Sequence, residues 1–224
     1  MLRSLIAALG LGLAGTAILV ALGVWQLQRL EWKQGVLSQI EARIGSAPVA
    51  LPDMPEPGRD TYLPVQVSGE TGENEILVQA SRKLVGPGFR VIVPFETGGR
   101  RILLDRGFIS AADRDAARPP VALTVLGNLH WPDEVDGFTP DPDREAMLWF
   151  ARDVDQMAEA LGTEPVLLIA RVVEPSDPKI SPLPIDTAGI PNNHLEYAIT
   201  WFLLAIVWAG MTVYLLVRIR RQSL

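Results

Sequence analysis

Cysteine is absent from the 224-residue chain, and histidine occurs only twice, as His130 and His194. The first absence excludes disulfide frameworks, thiol nucleophiles, thiolate metal centres and a Cys-linked haem. The second excludes a His-rich metal cluster. Charge is missing from two long runs, Ser4–Val24 and Tyr197–Val217. At about 1.5 Å per residue each run covers the ~30 Å hydrocarbon core of a bilayer. Acidic residues are missing from both ends: residues 26–196 hold all 26 of them and 16 of the 20 basic ones, a net charge of −10. Arg3, Arg218, Arg220 and Arg221 make the ends basic. No glycine-rich phosphate loop and no G-x-S-x-G string occurs.

What is present describes a protein threaded twice through a membrane. A cleaved signal peptide is the alternative for the first run, but its apolar part would be about 7 to 15 residues long, and this one is longer and passes directly into an amphipathic helix. Tyr197 and Trp201 near one end of the second run, and Tyr214 near the other, suit interfacial belts. The basic ends mark the cytoplasmic side, so both termini are expected inside and the middle outside, which for a bacterium means the periplasm. No Arg-rich presequence precedes the first run, which argues against a mitochondrial precursor.

The expected organisation is a membrane helix over 4–25, a helical stalk over 26–45, a Pro-rich linker over 46–60, a β-rich domain over 61–190, a second membrane helix over 195–217 and a basic cytoplasmic tail over 218–224. Leu30, Leu37, Ile40 and Ile44 keep helical spacing up to Gly45, and Pro48, Pro52, Pro55, Pro57 and Gly58 should prevent a helix in the linker. Short Val/Ile/Leu/Phe runs bounded by Gly, Pro and Asp predict strands near 63–69, 75–80, 89–95, 101–109, 121–130, 146–151 and 165–173. Gly98-Gly99 predicts a hairpin, and Asp153, Gln156 and Gly162 predict a capped short helix. The fold class is therefore a membrane protein with two transmembrane α-helices flanking a mainly antiparallel β (α+β) domain, a small barrel or sandwich.

Few residues could carry chemistry. His130 lacks a nucleophile signature and reads as a structural histidine. Asp105 and Arg106 are strand neighbours on opposite faces, so separate ion pairs beside a bulge or turn at Gly107 are expected. Gly86-Pro87-Gly88 reads as a turn. Asp133, Glu134, Asp141 and Asp143 read as solvated loop charges. His194 stands just before the second run, and His194, Ala198, Trp201 and Ala205 share one helical face. That face could ligate a flat metal-bearing ligand through imidazole beside small residues; a polar helix end with a belt tryptophan fits the same spacing. Trp25, Arg29, Trp32 and Lys33 emerge at the same interface, where cations could meet anionic ligand groups or simply anchor the helix.

Taken together, GVWQLQRLEWK (Gly23–Lys33), ILLDRGFIS (Ile102–Ser110), GFTPDPD (Gly137–Asp143), LWFARDVDQMA (Leu148–Ala158) and PNNHLEYAITWF (Pro191–Phe202) resemble the surfeit locus protein one (Surf/Shy) family of cytochrome c oxidase assembly factors. The resemblance implies a non-enzymatic inner-membrane chaperone of respiratory-chain biogenesis that binds haem a and assists its insertion into the catalytic subunit of a haem-copper oxidase. It implies His194 as the iron ligand, supported by Trp201; Trp25, Arg29 and Lys33 are further candidate cofactor contacts by their place on the first helix. The expected partners are the oxidase catalytic subunit, the lipid bilayer and, as a further candidate, haem a synthase; nucleic acid is not among them. A cofactor-free scaffold for the nascent subunit is the alternative.

Overall fold

In the computed structural model, which describes residues 2–221, the first apolar run and the stalk form one helix, α1 (Leu2–Ile44). No proline interrupts it, and the Gly45 amide closes it on the Glu41 carbonyl at 3.0 Å. The second run forms a helix of 28 residues whose last turn holds Arg218, Arg220 and Arg221. The expected tail is thus helical through Arg221, and residues 222–224 lie outside the described residues. Both helices are long and apolar enough to cross a membrane, and most of their side chains are exposed, as lipid-facing surfaces require. The chain divides into two units, one holding residues up to 39 and from 187 onward, the other residues 40–186.

The second unit is built on a seven-stranded sheet: β1 (Pro64–Thr71), β2 (Ile76–Arg82), β3 (Gly86–Thr97), β4 (Arg100–Ser110), β5 (Ala122–Leu129), β6 (Leu148–Trp149) and β7 (Leu167–Glu174). Its order is β1-β5-β7-β4-β3-β2-β6, and β1 also pairs with β3 through Glu70↔Glu96 and Thr71↔Phe95. That extra pairing closes β1, β5, β7, β4 and β3 into a small barrel, which removes their free edges. Two pairs, β4 with β7 and β2 with β6, are parallel, so the sheet is mixed.

Alternation along the barrel strands separates two cores. Val91, Val93, Phe95, Ile102, Leu104, Leu168 and Ala170 fill one. Their neighbours Ile92, Leu103, Leu167 and Ile169 join Trp149 and the apolar face of a short helix, α3 (Val154–Leu161), in the other. Strands buried on both faces explain the unbroken apolar runs in the sequence. Asp153 caps α3 by accepting from the Gln156 amide at 3.0 Å, and Gly162 ends it in the left-handed region at φ 63°. The Gln156 side chain donates to the Asp153 carboxylate at 2.8 Å instead of completing a reciprocal box.

Two expectations require correction. The linker contains a helical turn at Pro57–Asp60, because proline at the first helical position loses no hydrogen bond. Nor is it a free spacer: Val49 bridges to Val65, and Arg100 donates to the Pro52 carbonyl at 2.6 Å. Gly86-Pro87-Gly88 is the start of β3, paired with Arg82, Ser81 and Ala80; the turn is the preceding Lys83–Val85.

Candidate functional site

The second apolar helix, α4 (His194–Arg221), starts where Pro191-Asn192-Asn193 ends an irregular segment. The Asn193 carbonyl receives the first helical bond, from the Tyr197 amide at 3.2 Å. α4 runs antiparallel to α1: Trp208 and Thr212 meet Gly12, Phe202 meets Gly23, and His194 meets Gln26. A Cβ added to Gly12, Gly15 or Gly23 would lie 2.1, 2.3 or 2.6 Å from Thr212, Trp208 or Phe202. These glycines let the helices approach closely, as small residues do in membrane helix pairs. Trp208 donates its indole N–H to the Gly12 carbonyl at 3.1 Å, further fixing the register.

The seam follows a repeat near 3.5 residues. Gly12, Leu19, Gly23, Gln26, Leu30, Lys33 and Leu37 are among the covered positions of α1, and His194, Ala198, Trp201, Ala205, Ala209 and Thr212 among those of α4. His194 and Trp201 thus share a face, as expected, but that face is the helix–helix seam. Ala198 and Ala205, expected to leave space for a flat ligand, are 1% and 5% exposed within the pair. The stripe that runs from Ala198 to Ala205 is therefore covered by α1.

At that head, His194 Nδ1–H donates to Gln26 Oε1 at 2.8 Å. The amide oxygen only accepts, so Nδ1 is the donor in this bond, and a neutral ring that makes it has its lone pair on Nε2. Asn192 Oδ1 is buried without a hydrogen-bond partner, which is rare for an acceptor in a finished structure. Lys33 donates to the Pro191 carbonyl and so ties the pre-helical segment to α1. Trp25 and Arg29 lie on the exposed stripe beside the seam, Trp25 at 50% exposure, with the Arg29 guanidinium 4.3 Å from the Trp32 ring centroid. The structure thus joins His194 to Gln26 and Lys33 to the Pro191 carbonyl, while Trp25 and Arg29 sit one face away. Gln26 and Asn192 escaped the sequence reading; a neutral amide at a membrane edge carries no charge or periodic signal that would single it out.

The other histidine is in the domain. His130 stacks on Tyr62 with ring centroids 5.3 Å apart. Burial, reinforced by the Arg152 charge, pushes its pKa down to about 4, and Nδ1 has no partner. The Asp105–Arg106 pair behaves as expected. Asp105 is fully buried and receives Arg90 Nε at 2.5 Å, while Arg106, left out of pairing by the bulge before Gly107, reaches Asp177 at 3.6 Å. Glu134 is not simply a solvated loop charge. Burial would raise its pKa, but Arg152 grips it through side-chain and backbone donors and holds it below the usual range.

Among the described residues no group of three or more His, Asp or Glu side chains could hold a bare metal ion. Two apolar spans with a closed barrel domain between them in the chain define a membrane protein, and the His194–Gln26 bond stands at the head of its helix pair. The SURF1 family pattern matches residues 13–206, and the chain belongs to that family. It is 28% identical over 206 residues to "Surfeit locus protein 1" of Rattus norvegicus, covering 81% of this chain and 66% of that protein. Similarity to "Surfeit locus protein 1" of Homo sapiens is again 28%, over 81% and 68% of the two chains. A "SURF1-like protein" of Monosiga brevicollis is 30% identical over 87% of this chain and 82% of its own. The chain thus spans about two thirds of the rat and human proteins.

Proposed function

We propose that this protein is a non-enzymatic assembly factor for a haem-copper oxidase, seated in the bacterial inner membrane with both termini cytoplasmic and the barrel domain periplasmic, and that it holds haem a as cargo for the catalytic subunit. The observation that carries this reading is the His194–Gln26 hydrogen bond, which leaves Nε2 as a lone-pair donor at the head of an apolar helix pair. Iron held by a single imidazole needs other donors, and the macrocycle supplies four of them. The unpartnered Asn192 Oδ1 adds an acceptor, and Arg29 and Lys33 offer cations to carboxylate side groups. Membership of the SURF1 family supports the assembly role. Copper delivery would call for soft thiolate ligands, and the sequence holds no cysteine.

Purification from cells that make haem a, followed by extraction and optical spectroscopy, tests the reading. Haem a is expected with the native chain and should be strongly depleted in His194→Ala; equal loading of both would reject His194 as the ligand. A scaffold holding the nascent subunit without cofactor is the second reading, favoured by Phe138, which stands 95% exposed on a domain loop. Co-purification of the catalytic subunit with only background haem would support it.

A further inference from the structure

We infer that Gln26 is a positioning residue: it sets the tautomer of His194 and thereby makes Nε2 the donor atom. The inference rests on the haem reading above for its purpose, but its structural content stands apart from it. Gln26 is one of the few polar side chains buried in the helix pair, 9% exposed. It lies on the α1 seam and places Oε1 2.8 Å from His194 Nδ1. An amide oxygen has no proton to give, so the bond exists only when Nδ1 carries one. Free neutral histidine places its proton mainly on Nε2, the arrangement that blocks ligation by that atom. The hydrogen bond reverses this preference. It also restrains ring rotation, since His194 is the first residue of α4 and has no preceding helical turn to pack against. Partners of this kind typically change metal affinity by about 10- to 100-fold.

The chain's two histidines make the test direct. With 15N-histidine labelling of the full chain in micelles at mildly alkaline pH, two imidazoles are observed, and His130→Phe assigns them. His194 should show a protonated Nδ1 and a lone-pair Nε2. Gln26→Leu, similar in size and apolar enough for a membrane helix, should shift the population toward Nε2–H, with an unchanged His130 signal reporting an intact domain. Gln26→Glu should restore the native tautomer. In parallel, ferric protoporphyrin added as a probe should bind roughly tenfold more weakly to Gln26→Leu than to the native chain. A native chain with Nε2–H, or a tautomer unmoved in Gln26→Leu, would overturn the inference. If the tautomer shifts as expected but the probe binds His194→Ala as well as native, the role of Gln26 stands and the haem reading fails.

Discussion

The helix pair and the barrel domain solve opposite problems with the same apolar alphabet. In the domain, Phe95, Ile102, Leu103 and Leu168 are fully buried, and charge is admitted only as ion pairs such as Arg90–Asp105. In the helix pair, large apolar residues such as Leu13, Leu203 and Ile206 face outward, while glycines, alanines and a few polar groups in the contact seam let side chains such as Phe202 and Trp208 pack closely. Lipid removes the hydrophobic drive between helices, so close backbone approach and hydrogen bonds hold the pair. His194 accordingly stands at the end of the seam, bonded to Gln26, whereas the imidazole of His130 is buried within the domain.

The contrast can be challenged in order of effect. Phe95→Ala should cost the domain about 3 to 5 kcal/mol, measured by denaturant unfolding of the full chain in detergent, because it empties the barrel interior; a loss under about 1 kcal/mol would contradict the assigned core. Asp105→Ala should cost a comparable ~3 to 5 kcal/mol by taking the carboxylate from Arg90, which keeps only the Leu183 carbonyl. In the helix pair, Gly15→Leu should separate the helices, whereas Leu13→Ala, on the exposed face, should not. Because the chain has no cysteine, cysteines introduced at Leu19 and Ala205 can report this by cross-linking: yield should fall several-fold in the first variant only.

A smaller effect depends on pH. The His130 pKa is depressed to about 4, from an ordinary value of 6.5. The unfolded chain therefore takes up a proton first as pH falls. Stability should be constant above pH 6.5 and decline between 6.5 and about 4, by on the order of 2 kcal/mol after allowance for the ring's partial exposure. His130→Phe should flatten that part of the profile; an unchanged slope would assign it to carboxylates instead.

The legibility of the sequence follows the same division. Strand positions were readable because Val, Ile and Leu runs between Gly, Pro and Asp have few other solutions, and α3 because Asp153 and Gly162 carry their own capping chemistry. Barrel closure was not readable, since the β1–β3 pairing joins residues 70–71 to 95–96 through tertiary geometry alone. His194 stood out by its rarity and place. The direction of its face did not: the alanines that suggested open space are the residues that let another helix in. Gln26 became visible only once the two helices were set side by side.

Pulsed EPR of the haem a-loaded ferric protein, labelled with 15N-histidine, tests the central claim most directly. The account predicts a histidine 15N coupling to iron that persists in His130→Phe and vanishes in His194→Ala. A coupling that survives in His194→Ala, or that is missing from the native chain, would contradict it.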